Sequence, residues 1–308
     1  MKALITGGAG FIGSHTVDKM LSKGWEVVVL DNLSTGLRNN IDARAKFFEM
    51  DIVDSELANV FVQEKFDYVV HLAAQTAVPY SIDHPDIDCK VNLLGLVNVL
   101  EACRQTGVKR IVFASSAAVY GNVESLPITE ECTLNPMSFY GLTKLTSEKY
   151  LALYNQIHGI NYVAFRYANV YGERQGDGGE GGVVSIFTRK ISLDQSVHIF
   201  GDGGQTRDFI YVGDVAEANC QALTAPQYAA NRVYNISTQS QTSVNNLVAL
   251  LEESASKQVQ KIQAPARDGD IYHSMLSNQA AIETLNWRPQ MLLAEGLGRT
   301  YHSLKKTP

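Results

Sequence analysis

The sequence predicts an α/β protein, a doubly wound parallel sheet followed by a smaller mixed α/β C-terminal part. Two observations predict it. Strand-like and helix-like patterns alternate through about residue 170, which is the signature of a parallel sheet with crossover helices. Beyond that point the elements become shorter and mixed. The division expected is 1–170 for the sheet domain, with some later segments returning to it, and 171–308 for the rest.

The first strand is Lys2-Ala3-Leu4-Ile5-Thr6. It runs into Gly7-Gly8-Ala9-Gly10-Phe11-Ile12-Gly13, and a helix follows with apolar Ile12, Val17, Met20 and Leu21. The next strand, Glu26-Val27-Val28-Val29-Leu30, ends at Asp31, 18 residues past the last glycine. Glycines between a strand and a helix, with an acid at that distance, form a dinucleotide fingerprint in its confirming context. The glycines permit a tight turn and close backbone approach, and the helix N-terminus faces a pyrophosphate. Asp31 would accept from the adenosine ribose hydroxyls and repel a 2′-phosphate, so NAD is expected over NADP. The first domain therefore reads as a Rossmann-type, NAD-binding unit.

Val69-Val70-His71-Leu72-Ala73-Ala74 reads as a further core strand, and a long helix is predicted over about 85–105. Arg110-Ile111-Val112-Phe113-Ala114 is the next strand, with Ser115-Ser116 at its carboxyl end. A helix from Tyr140 to about His158 precedes Tyr162-Val163-Ala164-Phe165-Arg166. Ligands of such sheets sit beyond the carboxyl ends of the strands, where Gly13, Asp31, Ala73, Ser116 and Tyr167 all fall. Residues 172–182 form a glycine-rich loop, either a linker or a substrate loop. Helices are predicted at 183–193, 214–224, 243–256 and 293–305, and short strands near 197–200, 207–211, 232–236 and 259–263. This part is expected to pack on the sheet edge over the nicotinamide. No internal repeat is visible.

Ser116 and Tyr140-Gly141-Leu142-Thr143-Lys144 carry the chemistry. Residues four apart on a helix share a face, so Tyr140 and Lys144 meet. A tyrosine has an ordinary pKa of about 10. An adjacent cation and a donating hydroxyl both favour the phenolate. A tyrosine so tuned is a general acid/base, as hydride transfer at an alcohol carbon requires. Tyr-x-x-x-Lys alone is a common helix-surface pattern; its force here comes from the dinucleotide fingerprint in the same chain.

Composition narrows the class. The chain has 308 residues, 45% hydrophobic and 19% charged, ordinary for a globular protein with a large core. The net charge is −6 without a basic cluster, so no nucleic-acid partner is expected. No apolar run reaches the roughly 18 residues that span a bilayer, and residues 1–13 read as strand and phosphate loop rather than signal peptide. No membrane association is expected. Cys89, Cys103, Cys132 and Cys220 share no CxxC spacing and read as reduced, mostly buried thiols of a cytoplasmic protein. The seven histidines are scattered, His71 reads as structural, and no metal site is predicted.

With these residues in view, the chain resembles nucleotide-sugar enzymes of the extended short-chain dehydrogenase/reductase superfamily, and among them UDP-hexose 4-epimerases of the UDP-glucose 4-epimerase type, including those that act on UDP-N-acetylglucosamine. The resemblance spans essentially the whole chain. It rests on Thr6–His15, Asp31-Asn32-Leu33-Ser34-Thr35-Gly36, His71-Leu72-Ala73-Ala74-Gln75 and Ala114-Ser115-Ser116-Ala117-Ala118-Val119-Tyr120-Gly121. It continues through Tyr140–Lys144, Arg166-Tyr167-Ala168-Asn169-Val170-Tyr171-Gly172 and Gly201-Asp202-Gly203-Gly204-Gln205-Thr206-Arg207-Asp208-Phe209. It implies that Gly7, Gly10, Phe11, Ile12, Gly13, Asp31, Asn32, Asp51, Ile52, Leu72, Ala73, Ala74 and Tyr167 bind NAD together with Tyr140 and Lys144. It further implies Tyr140 as the base, Ser116 as its partner at the sugar hydroxyl, and Lys144 at the nicotinamide ribose. Asn169, Val183, Arg207, Arg267, Asp270 and Ser274 would hold the UDP-sugar; guanidinium groups suit phosphates.

One departure from relatives is informative. Sugar 4,6-dehydratases of this superfamily carry Asp-Glu just after the position of Ser116, and the decarboxylases carry a glutamate at the second place. This sequence has Ala117 and Ala118, which cannot move a proton. What remains is reversible oxidation at one carbon, inverting C4 through a transient 4-keto sugar while NAD is regenerated. The resemblance thus implies interconversion of UDP-glucose and UDP-galactose, the reaction of galactose metabolism. Ser274, small where enzymes limited to that pair carry tyrosine, extends this to UDP-N-acetylglucosamine and UDP-N-acetylgalactosamine. A UDP-glucuronate 4-epimerase, a net NAD-dependent dehydrogenase and a non-enzymatic NAD-sensing regulator are the alternatives. Related epimerases pair two long helices per subunit, here about 85–105 and 140–158, so a homodimer is implied.

Overall fold

The computed structural model describes residues 1–176, 182–266 and 271–304. In chain order the first part contains β1 Lys2–Thr6, α1 Phe11–Ser22, β2 Glu26–Asp31, β3 Lys46–Glu49, α2 Leu57–Glu64 and β4 Tyr68–His71. Then come α3 Val78–Asp83, α4 Pro85–Cys89, a π-turn at Lys90–Leu94, α5 Gly95–Thr106, β5 Arg110–Ser116, α6 Phe139–His158, β6 Asn161–Tyr167 and β7 Asn169–Tyr171. The remainder comprises α7 Val183–Ser192, β8 Val197–Phe200, β9 Thr206–Arg207, β10 Phe209–Tyr211 and α8 Val212–Thr224. It ends with β11 Arg232–Ile236, β12 Thr242–Ser243, α9 Val244–Ala255, β13 Lys261–Ala264, α10 Gln279–Leu285 and α11 Leu293–Leu304.

Seven strands form one parallel sheet in the order β11-β6-β5-β4-β1-β2-β3. Val27–Leu30 and Val163–Phe165 are buried, as a sheet covered on both faces demands. Val17, Met20, Ala218, Leu223 and Trp287 pack on one face, from α1, α8 and the segment after α10. Phe61, Leu96, Val99, Leu100 and Leu151 cover the other, from α2, α5 and α6. The register sets Thr6 beside His71 and Ser116 beside Tyr167, so the strand ends finish level and open onto one crevice.

A separate core gathers Phe187, Ile191, Leu247, Leu251, Leu297 and Tyr301 from α7, α9 and α11. It lies with the two-stranded pair β8–β13, while β10 pairs with β7. The expected strand at 232–236 is β11, the edge of the main sheet.

Several elements differ from the sequence reading. The strand expected through Ala74 stops at His71: the Leu72 N–H is shared between the Thr6 carbonyl at 3.1 Å and the Thr6 hydroxyl at 3.2 Å, and the Ala73 N–H donates to that hydroxyl at 3.3 Å. The strand expected over 207–211 divides at Asp208, whose buried carboxylate accepts from the N–H groups of Thr238, Gln239 and Leu276. The long helix over 85–105 is interrupted by the π-turn. Of the cysteines, Cys103 and Cys220 are buried, whereas Cys89 is exposed and Cys132 half-buried; all four are free. "Mostly buried" thus describes half of them. No helix among the described residues is long and apolar enough to cross a membrane.

Candidate active site at the strand ends

A cleft of about 640 Å³ opens beyond the carboxyl ends of the sheet. Every residue assigned above to the cofactor lines it, from Gly7 through Asp51 to Tyr167, and Ser116 lines it too. Among the described residues no group of three or more His, Cys, Asp or Glu side chains could hold a metal ion. His71 is buried against the Thr6 hydroxyl at 2.8 Å, and burial pushes its pKa down to about 3, leaving it neutral.

The glycine loop has no room for side chains. Gly7 has φ of +70°, and a Cβ there would lie 2.6 Å from the Ala73 nitrogen. A Cβ on Gly13 would lie 2.0 Å from the Gly7 carbonyl oxygen. The loop is therefore closed on itself, with α1 starting directly behind it. Gly10 caps α1 without a side-chain hydrogen bond, and the first turn carries no acid. The leading N–H groups and the positive end of the helix dipole are thereby left for an anion. This cradle fits the pyrophosphate of a dinucleotide.

Asp31 is buried at the end of β2 and does more than the sequence suggests. Its Oδ2 accepts from the Ala9 N–H at 2.9 Å and its Oδ1 from the Leu33 N–H at 2.8 Å. The carboxylate therefore also ties the glycine loop to the next turn. Each oxygen keeps a further lone pair for a ribose hydroxyl. Beside it, the Asn32 amide donates to Asp51 Oδ2 at 2.7 Å.

Tyr140 and Lys144 occupy the first turns of α6, which starts there because Ser138 Oγ caps the Gly141 N–H at 3.1 Å. Lys144 is buried, donates to the Ala114 carbonyl at 2.8 Å, and lies 5.7 Å from the Tyr140 ring centre. Burial draws its ammonium down to about 8, against the pull of the Asp88 charge. Ser116 Oγ accepts from the Ala118 N–H at 3.1 Å, which fixes the hydroxyl at the mouth of β5. Behind it, Ser115 donates to Glu148, a carboxylate paired with Arg166 at 2.7 Å with both side chains buried. A cationic amine, a phenol and a hydroxyl on one wall of the cleft can together move a proton at an alcohol.

Four of the residues assigned to the sugar nucleotide fall elsewhere. Asn169, Val183, Arg207 and Ser274 do not line this cleft. Three of them meet around β9. The Asn169 N–H donates to the Asp208 carbonyl at 2.9 Å, and Thr206, next to Arg207, bridges His273, next to Ser274. Val183 begins α7 and packs on the C-terminal core. Arg267 and Asp270 lie outside the described residues, as do 177–181 of the glycine-rich loop.

The cleft also recruits residues not assigned from sequence: Ser34, Thr35, Asn40, Val91, Arg174 and Gln175 among them. Ser34 and Thr35 belong to a motif already noted, and their position after Asp31 was the available signal. Val91 arrives through the π-turn, and Arg174 and Gln175 through the loop after β7, which His15 pins by its bond to the Glu173 carbonyl at 2.9 Å. No local pattern announces either.

A family model, the NAD dependent epimerase/dehydratase family, matches residues 3–237. The chain belongs to this family. A UDP-glucose 4-epimerase of Mycolicibacterium smegmatis is 38% identical over 306 residues, covering 97% of each chain. Among solved structures, a UDP-glucose 4-epimerase of Thermotoga maritima with UDP-glucose superposes with a TM-score of 0.96 at 42% identity, covering 100% of this chain and 99% of the other. A UDP-glucose 4-epimerase of Thermus thermophilus in complex with NAD gives a TM-score of 0.93 at 40% identity, with both chains fully covered. Membership agrees with the Rossmann-type sheet and with NAD as the cofactor for which the glycine cradle is built.

Proposed function

We propose that the protein is a UDP-hexose 4-epimerase that interconverts UDP-glucose and UDP-galactose with bound NAD. The observation that carries this reading is the convergence of Tyr140, Lys144 and Ser116 on the same cleft as the glycine cradle. Similarity over nearly the full chain to UDP-glucose 4-epimerases supports the substrate class.

In this reading residues 1–170 with the later returning segments hold NAD, and the remaining segments up to 308 mainly hold the UDP-sugar. Bound NAD supplies reversible hydride acceptance. Tyr140 takes the proton of the sugar 4-hydroxyl and later returns it. Lys144 stabilises the phenolate in the first half, and Ser116 orients the hydroxyl. Ala117 and Ala118, following Ser116 in a single 3₁₀ turn, add no second acid/base group. That favours inversion at C4 over elimination or decarboxylation. Asn169, Val183, Arg207, Arg267, Asp270 and Ser274 would anchor UDP and shape the sugar pocket. Ser274 would also admit the N-acetylated pair.

We further assign a homodimer and a cytoplasmic location. Leu142, Tyr150, Leu153 and Ile157 of α6 are exposed on one side, with Ile87 of α4 and Leu94 of the following π-turn also exposed. An apolar surface of that extent is suited to a second copy. Four free cysteines suit a reducing compartment.

The test is incubation of the purified protein with UDP-galactose, without added NAD. Formation of UDP-glucose without accumulation of NADH is expected, because each cycle regenerates the cofactor. Accumulation of NADH with consumption of added NAD would instead indicate a net dehydrogenase. Conversion of UDP-glucuronate alone would indicate the uronate epimerase.

A further inference from the structure

The segment 75–92 faces the turn that carries Tyr140 and Lys144, and three of its buried polar side chains, Ser81, Asp88 and Asn92, do not line the cleft. Ser81 is buried, and its Oγ accepts from the Tyr140 N–H at 3.1 Å. Asp88 is fully buried. Its Oδ2 accepts from the Thr143 hydroxyl at 2.7 Å, and its Oδ1 from the Gln75 amide at 2.7 Å and the Asn92 amide at 3.1 Å. Asn92 sits in the π-turn and reaches the Thr143 hydroxyl too, at 3.2 Å. All three donors to Asp88 are neutral. A buried carboxylate surrounded only by dipoles keeps its charge unbalanced, and needs a cation within reach.

The surroundings identify that cation. On α6 the titratable groups facing the site are Tyr140, Lys144 and Glu148, and the Glu148 charge is matched by Arg166. On β4 His71 is neutral. β5 presents Ala114, Ser115 and Ser116, without charge. On α3 and α4 and in the π-turn, Asp83, Asp86 and Lys90 are exposed to solvent, as is His84 between the two helices, while Asp88 is turned inward. Among the described residues that face this site, Lys144 is the buried cation that remains, and the Asp88 charge raises its affinity for a proton.

We propose that Asp88 is a positioning residue: through the Thr143 hydroxyl it fixes the turn bearing Tyr140 and Lys144, and it is the buried counter-charge of Lys144. This rests on the acid/base role proposed for that pair. Its consequence has a definite sign. Removing a negative charge makes both Lys144 and Tyr140 release protons more readily. The acid limb of the rate profile, set by Tyr140, and the alkaline limb, set by Lys144, should therefore both move to lower pH.

The experiment compares kcat/KM against pH for wild type, Asp88→Asn and Asp88→Glu, with UDP-galactose. Asp88→Asn should displace both limbs toward lower pH by about one unit, the scale of one neighbouring charge. Asp88→Glu should leave their positions in place whatever the height of the curve. Unmoved limbs in Asp88→Asn, or equal displacement in Asp88→Glu, would overturn the proposal; a purely structural role lowers the curve without moving it. A second measurement needs no turnover. Lys144→Met should be destabilised by the uncompensated Asp88 charge, and Asp88→Asn in that background should restore stability in thermal unfolding. No recovery in the double variant would overturn the pairing. Absence of wild-type turnover on UDP-galactose would sink the epimerase reading alone, with the stability cycle still deciding the role of Asp88.

Discussion

Lys144 Nζ donates to the carbonyl of Ala114 at 2.8 Å and lies 5.7 Å from the centre of the Tyr140 ring. The bond ties α6 to the end of β5, so the acid/base tyrosine is held against the strand that carries Ser116. Burial draws the lysine down to about 8. The ammonium is charged below that value and is lost as pH rises through it. Turnover is expected to fall across the same range, and Lys144→Met should lack this limb. Measuring kcat against pH for both proteins checks it; a limb retained by Lys144→Met would assign it to another group. For folding the sign is opposite. The unfolded chain binds the proton more tightly, so this residue's contribution to stability grows from pH of about 8 up to the ordinary lysine range.

Tyr140→Phe removes only the hydroxyl. It should leave the fold and NAD binding intact and lower turnover by about 10²–10⁴-fold, the usual cost of losing a general acid/base group. Steady-state assay alongside NAD titration separates the two effects. Turnover within a factor of two of wild type would exclude Tyr140 from catalysis.

Asp31→Ala should act twice. Loss of the carboxylate removes the repulsion of a 2′-phosphate, so the preference for NAD over NADP narrows. It also leaves the Ala9 N–H without its acceptor at 2.9 Å, and an orphaned buried donor costs about 1–3 kcal/mol. NAD affinity itself is therefore expected to fall. Calorimetric titration of cofactor-stripped protein with both dinucleotides reads both effects, and an unchanged affinity ratio would move the ribose away from Asp31.

Glu148→Ala strands Arg166 inside the protein and removes the acceptor of Ser115. Breaking a buried pair from one side costs about 3–5 kcal/mol. Urea unfolding should show that loss, with Arg166→Met in the same chain restoring part of it. A change below about 1 kcal/mol, the range of surface pairs, would mean the pair is well hydrated.

Ser274→Tyr should depress activity on UDP-N-acetylgalactosamine while largely sparing UDP-galactose. A ring in the space swept by a 2-acetamido group overpacks the pocket at about 1–3 kcal/mol. Rates on the two substrates before and after substitution give the comparison. Equal loss on both would show that this position does not sort them.

Legibility in the sequence followed the range of each contact. The glycine cradle, Asp31 and the Tyr140–Lys144 pair are local, and strand–turn–helix spacing within some thirty residues is enough to align them. Where a strand ends was not legible: Val69 to Ala74 reads as one strand, yet the Ala73 N–H goes to the Thr6 hydroxyl, 67 residues away. The helix over 85–105 has unbroken apolar periodicity, and nothing in it marks a π-turn at Lys90–Leu94.

By itself the sequence determined the Rossmann-type sheet, the dinucleotide cradle and the catalytic turn, because each is written in spacings that one strand or one helix enforces. Only the tertiary structure decided what surrounds that turn. Asp88 reaches Thr143 across 55 residues, and Glu148 reaches Ser115 across 33. Helix packing brings these groups together, and burial gives them their weight. A carboxylate on a helix reads as solvent-facing in sequence; with water excluded, its charge must be answered by the nearest cation.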